Sequence, residues 1–169
     1  MRTRLAAWRE HVGAQMPSPN PGYDPAAAWT TVFAAKNDVV RLEASLAEVN
    51  GTMLRYEPPP HKNTLGYWTR AEDWVRWDFA IKQTGRYEIE LLQGCGKGSG
   101  GAEVLVSVGG QAFTHVVEDT GHFQNFVPRV VGVVNLEKAG RHTLTVKPRT
   151  KPGVAVMDLR AVTLRPVKG

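Results

Sequence analysis

The stretch Trp74-Val75-Arg76-Trp77-Asp78-Phe79-Ala80-Ile81-Lys82, followed by Gln83-Thr84-Gly85 and then Arg86-Tyr87-Glu88-Ile89-Glu90-Leu91, decides the fold. In its first half Val75, Trp77, Phe79 and Ile81 alternate with Arg76, Asp78 and Lys82. In its second half Tyr87, Ile89 and Leu91 alternate with Arg86, Glu88 and Glu90. A period of two marks a half-buried strand. The short Gly-containing turn between the runs predicts one antiparallel hairpin. Its apolar face carries the aromatics Trp77, Phe79 and Tyr87 and several branched aliphatics, so a second sheet is expected to cover it.

Outward from this pair the same grammar repeats. Upstream, Val40, Leu42, Ala44 and Leu46 form one face of a predicted strand over 39–46, and Asn50-Gly51 turns the chain into a strand over 52–57. Pro58-Pro59-Pro60 breaks the pattern, and His61 to Arg70 reads as a loop carrying Tyr67 and Trp68. Downstream, a glycine-rich loop from Gly94 to Gly101 leads to a strand with Val104, Val106 and Val108 alternating. No helix pattern follows that loop, so it lacks the amides and dipole of a phosphate cradle. Gly109-Gly110 is a tight hairpin turn. Phe126 to Leu136 gives a long Val-rich strand whose Pro128 predicts an edge or a bulge. Ala139-Gly140 turns into a strand over 141–147, and Val154 to Leu164 closes the sheet. The apolar parity of that last strand changes midway, which predicts a bulge or burial on both faces. About nine short strands with hardly any helix give an all-β, antiparallel β-sandwich. Ahead of it, residues 1–36 read as a short helix near residues 3–12, with Leu5, Trp8 and Val12 on one face, and a Pro-rich extended linker from Pro17 to Pro25. The sandwich occupies 37–169.

Composition is that of a globular chain, 42% apolar and 22% charged, and no apolar run approaches the length of a membrane span, so no membrane partner is expected. Met1 to Glu10 lacks the apolar core of a secretory signal. The formal charge of +5 is unevenly spread. Residues 137–169 hold eight Lys or Arg against Glu137 and Asp158, whereas 37–136 hold nine basic and twelve acidic residues. That excess is either a solvated strand edge, where Lys discourages edge pairing, or an anion-facing turn centred on Arg149 and Lys151. Nucleic acid is not the expected partner, since there is no basic helix, zinc-finger spacing or aromatic RNA-binding signature.

Reaction chemistry needs a constellation, and the candidates fail one by one. Cys95 has only Lys97 nearby to stabilise a thiolate. The five histidines never approach metal-ligand spacing. Glu72-Asp73 and Glu118-Asp119 are neighbours on the chain and point to opposite faces, although carboxylate pairs from separate loops stay open. Binding chemistry is better represented. Loops displaying Tyr67, Trp68, His122 and Phe123 either stack the apolar face of a sugar ring or plug the open end of the sandwich.

The order of features resembles a known family. Glu43-Ala44, Asp73-Trp74-Val75, Thr84-Gly85-Arg86-Tyr87, Thr120-Gly121-His122-Phe123, Leu136-Glu137-Lys138-Ala139-Gly140 and Met157-Asp158-Leu159 are similar to the galactose-binding-like jelly roll of family 6 and related carbohydrate-binding modules. The resemblance implies a sugar sandwiched between Phe123 and either Tyr67 or Trp68. It also implies a structural calcium held by Glu43 and Asp158, whose residue types suit a hard cation. The family's sugar-binding Asn falls on Val156, a departure that removes one hydrogen bond. Separately, Trp8-Arg9-Glu10-His11-Val12-Gly13-Ala14-Gln15-Met16-Pro17 through Tyr23-Asp24 resembles the closing residues of bacterial arylsulfatase-type catalytic domains. The nucleophile motif of those enzymes, Cys or Ser-x-Pro-x-Arg, is absent from the sequence. Together the resemblances imply a non-catalytic accessory module that targets a sulfatase to glycan, sulfated glycan included, in the periplasm or outside the cell. The sulfatase catalytic domain would be its partner. A structural docking module that binds no sugar is the alternative.

Overall fold

The computed structural model describes residues 31–35 and 37–168. The short helix expected near residues 3–12, the Pro-rich linker and the sulfatase-like stretch all lie outside the described residues. The described residues form twelve strands: β1 (Val32–Phe33), β2 (Val40–Glu43), β3 (Glu48–Asn50), β4 (Arg55–Glu57), β5 (Thr64–Gly66), β6 (Trp74–Ile81), β7 (Gly85–Cys95), β8 (Glu103–Val108), β9 (Gln111–Val116), β10 (His122–Leu136), β11 (Gly140–Pro148) and β12 (Asp158–Pro166).

They form two six-stranded sheets. The first runs β1-β6-β11-β8-β9, with β3 also on β6; the second runs β10-β7-β12-β5-β4, with β2 also on β12. All pairings are antiparallel except β1 with β6. The all-β two-layer sandwich expected from the alternation is therefore present.

The expected central hairpin is not. β6 and β7 lie in different sheets, so the turn after Ile81 carries the chain from one layer to the other. The reason is that alternation states which side chains point inward but not which strand is the neighbour. Val75, Trp77, Phe79 and Ile81 from β6 meet Tyr87, Ile89 and Leu91 from β7 in one core, and all are 3% exposed or less. Burying a side chain of this size contributes on the order of 1.5–3 kcal/mol. The central stretch thus supplies both layers itself.

Other departures are local. The strand expected over 39–46 ends at Glu43, and Ala44–Leu46 form a 3-10 turn. The expected loop from His61 to Arg70 contains β5, whose three residues are all buried. Val32–Phe33, inside the segment read as tail and linker, adds the parallel edge strand β1, so the sandwich starts before residue 37. Pro128 does sit on an edge strand, β10, which carries irregularities between His122 and Val127 and between Val130 and Gly132. The parity change in the last strand is a bulge between Leu159 and Ala161, and both faces of that strand are largely buried.

The second sheet frays at one end. There His122 opposes Cys95, Asp158 opposes Gly94, and Leu159 opposes Leu65. This register gathers the start of β10, the end of β7, the start of β12 and the end of β5 around one opening.

Candidate functional site

The opening is a cleft of about 230 Å³ lined by Glu57, Lys62, Tyr67, Thr69, Phe123, Val154, Ala155 and Asp158. Its aromatic side is set by a single turn after β5. Tyr67 takes a left-handed backbone, φ 55°, and its carbonyl accepts the Thr69 N–H at 2.8 Å. A bulky residue at positive φ costs on the order of 1 kcal/mol or more and is held only where its surroundings insist. Here the next residue insists. Trp68 is fully buried, its indole Nε1–H donates to the Asp73 carbonyl at 2.9 Å, and its own carbonyl accepts the Val156 N–H at 2.8 Å. Anchoring Trp68 inward turns Tyr67 outward, where it is 44% exposed. The Arg55 guanidinium covers one face of the Tyr67 ring at 3.6 Å from its centroid.

Asp73 locks the other side of that loop by accepting the N–H groups of Thr52, Met53 and Leu54 at 2.8–3.1 Å. Burial alone would raise its carboxyl, but these three donors outweigh it and hold the group below the usual carboxylate range.

Phe123 faces the cleft from the start of β10. A Cβ added at Gly96 would run into its ring, and one added at Gly94 would run into its carbonyl, so two glycines of β7 and its following loop let the Phe123 segment lie flat on the sheet end. The segment is pinned by Thr120, whose hydroxyl accepts the Cys95 N–H at 2.8 Å, and by Asn125, whose Nδ2 donates to the Thr120 carbonyl at 2.7 Å. Beneath it, Gln93 of the second sheet bridges to the first, accepting from His115 Nε2–H at 2.7 Å and donating to the Glu118 carbonyl at 3.0 Å. Burial lowers the His115 pKa and keeps the ring neutral.

The polar side has one ion pair and, among the described residues, one carboxyl outside any ion pair. Lys62 donates to Glu57 at 2.8 Å, and that hydrogen bond raises the lysine pKa. Asp158 is 5% exposed. Burial first, and the Glu57 charge second, push its carboxyl up to about 7, against the pull of Lys62 and Arg160. Both carboxylates converge on Gly66: a Cβ there would collide with Glu57 and lie 3.4 Å from Asp158 Oδ1.

Of the aromatics singled out in the sequence, Tyr67 and Phe123 line the cleft. Trp68 does not; it belongs to the core, because successive strand-like residues point to opposite sides. His122 is exposed nearby and accepts the Gln124 N–H through Nδ1 at 3.0 Å without lining the cleft. Arg149 is exposed on the basic turn, and Lys151 is turned back onto the carbonyls of Gly153 and Val154 at 2.8 and 3.5 Å. Neither lines the cleft. The two carboxylates expected to hold calcium each have other neighbours. Glu43 is ion-paired with Arg41 at 2.5 Å, while Asp158 turns toward Gly66 and Glu57. Among the described residues no group of three or more His, Cys, Asp or Glu side chains could hold a metal ion. Glu57, Lys62 and Thr69 were not singled out in the sequence. The one available signal is that Glu57 closes a strand immediately before a proline break, where loops carry function.

A larger groove, about 490 Å³, lies among the turns at the opposite end, but no Tyr, Trp or Phe lines it. Of these two openings, only the Tyr67–Phe123 cleft has an aromatic lining. Cys95 is fully buried, with its thiol pushed up to about 11 by burial and then by Asp119 and Asp158, which removes it as a nucleophile.

Residues 57–168 match DUF5077, a domain of unknown function. No curated protein matches the sequence. Among solved structures, the chain is similar to the Podospora anserina GH26-CBM35 β-(1,4)-mannanase, with 16% identity and a TM-score of 0.61. That match covers 79% of this chain but 29% of the mannanase chain. It is similar to a family 35 carbohydrate-binding module from Clostridium thermocellum over 76% of this chain and 98% of that one, with 14% identity and a TM-score of 0.60. It is also similar to a carbohydrate-binding module of Cellvibrio mixtus lichenase 5A in complex with cellotriose, over 76% and 97% of the two chains, with 20% identity and a TM-score of 0.58. At these identities the likeness is one of fold. Neither the family match nor these structures bears on the sulfatase resemblance.

Proposed function

The chain belongs to the DUF5077 family, and from that premise we propose that it is a non-catalytic module that binds glycan in the cleft between Tyr67 and Phe123. The observation that carries the reading is the pairing of two solvent-reaching rings with polar side chains in one opening, on a sandwich of the carbohydrate-binding-module kind. An aromatic ring matches the apolar face of a pyranose, and carboxyl, ammonium and hydroxyl groups around it take the sugar hydroxyls. Glu57, Lys62, Thr69 and Asp158 supply those groups. The strained turn at Tyr67 fits a residue kept for contact with a ligand.

A single site of this size is expected to bind weakly, because hydroxyls exchange water for protein and few rings are stacked. The enzyme such a module accompanies would be a sulfatase on the strength of the residues 8–24 alone, and export would follow from the same resemblance. Affinity electrophoresis against a panel of polysaccharides tests the proposal. Tyr67→Ala and Phe123→Ala should each weaken retardation by about tenfold, since loss of an aromatic contact is worth on the order of 1 kcal/mol beyond buried area. Unchanged retardation in both variants would overturn it.

A further inference from the structure

Lys62, the one cation among the residues lining the cleft, is engaged, as are Arg55, Lys151 and Arg160 around it, whereas among the described residues the Asp158 carboxyl is in no ion pair. Arg55 stacks on Tyr67, and Lys62 is paired with Glu57 at 2.8 Å. Arg160 stacks on Phe126 at 3.7 Å and donates to the carbonyls of Lys62 and Asn63 at 2.7 and 3.3 Å. Lys151 is turned onto two carbonyls of its own loop. Asp158, by contrast, lines the cleft beside Glu57 with only Coulombic neighbours to compensate its burial.

We infer that this cleft selects uncharged sugars and rejects sulfated or carboxylated ones, with Glu57 and Asp158 as the residues that set the selectivity. The inference rests on the glycan-binding reading and narrows it. A sulfate brought into the opening would meet, among the lining residues, one cation, Lys62, already paired with Glu57, and at least one carboxylate, and would have to break that ion pair to gain a counter-charge. Like charge at a partly desolvated site costs more than the same charges in water. An uncharged sugar meets instead an acceptor at Glu57, a donor at Lys62, and at Asp158 a group that donates when protonated and accepts when ionised. None of the basic residues in 137–169 lines the cleft.

The rejection should also depend on pH. The groups facing Asp158 are Glu57 at the end of β4, Lys62 in the β4–β5 loop, Tyr67 in the loop after β5, Arg160 on its own strand and Cys95 on β7. Burial and the neighbouring Glu57 bring the Asp158 carboxyl up to about 7, so its charge changes between pH 5.5 and 8.

The test uses the full chain and paired probes: cellotriose, mannotriose and galactotriose, each in unsulfated and O-sulfated form, measured by isothermal titration at pH 5.5 and 8. The expected result is binding of at least one unsulfated probe, with its sulfated form weaker by about tenfold or more at pH 8 and a smaller ratio at pH 5.5. Asp158→Asn and Glu57→Gln, which keep shape and remove charge, should each shrink the ratio at pH 8. Gly66→Ala, which displaces the Glu57 carboxylate, should do the same. Added salt should narrow the ratio by strengthening the sulfated arm, the opposite of what an attractive site would show. A sulfated probe that binds as tightly as its unsulfated form overturns the selectivity and leaves the glycan reading standing. Failure to bind any of the six probes overturns both.

Discussion

Replacing Asp158 by Asn changes one titrating proton and almost no volume, so its effect on stability isolates the carboxyl. Burial and the Glu57 charge raise this group from 3.8 to about 7 in the folded chain, whereas in the unfolded chain it ionises near 4. Between those values the unfolded state has released a proton that the folded state keeps. The sign is therefore the reverse of a salt-bridged aspartate. The wild type carries no penalty below about pH 4, loses stability as the pH climbs, and levels off once the folded carboxyl ionises above about pH 7. At about 1.36 kcal/mol per pH unit the full displacement amounts to about 4 kcal/mol, and water reaching the cleft lessens it to about 2–4 kcal/mol. For a chain of this length that is roughly 5–15 °C in melting temperature. Urea unfolding followed by tryptophan fluorescence, at intervals from pH 4 to 8, measures both proteins. The Asn variant should match the wild type near pH 4 and exceed it by about 2–4 kcal/mol at pH 8. Other titrating groups appear in both proteins and cancel in the difference. A gap that does not change with pH, or a variant less stable than wild type at pH 8, would refute the reasoning. A carboxyl that lowers stability at neutral pH is what a fold retains for a ligand rather than for itself.

Two further outcomes separate cleft from core. Trp68→Ala should destabilise the chain by about 3–5 kcal/mol, because it empties a fully buried indole site and strands the Asp73 carbonyl, while Tyr67→Ala next to it should cost at most about 1 kcal/mol in urea unfolding. The Cys95 thiol, buried and raised to about 11, should react with a disulfide reagent at pH 8 only at the rate at which the native structure opens, and within seconds once the chain is unfolded in urea.

The layered fold could be read from alternation because the sandwich buries one face of its long central strands, and Val75, Trp77, Phe79, Ile81, Tyr87, Ile89 and Leu91 are inward as their spacing says. Strand partners could not. The turn between Ile81 and Gly85 has the length of a hairpin turn, and nothing local distinguishes it from a crossing between sheets. β5 escaped notice because Thr64-Leu65-Gly66 is too short to show a period, yet its insertion beside β12 is what carries Tyr67 to the opening. At the site, Tyr67 and Phe123 were legible as loop aromatics. Choosing between Tyr67 and Trp68 required knowing that the Trp68 indole reaches Asp73. Asp158 was legible as a carboxyl of the last strand, but its neighbour in space is Glu57, from a different hairpin, and no spacing in the sequence announces that encounter.

The central claim is that sugar occupies the space between Tyr67 and Phe123. Titrating the isotope-labelled chain with the unsulfated oligosaccharide that binds best, and following backbone amide shifts, tests it most directly. The account predicts that the largest shifts cluster at Tyr67, Thr69, Phe123, Val154 and Asp158, while the turns around Lys138 and His142 at the opposite end stay still. Shifts centred on that far groove, or on the outer face of either sheet with the cleft residues unmoved, would contradict it.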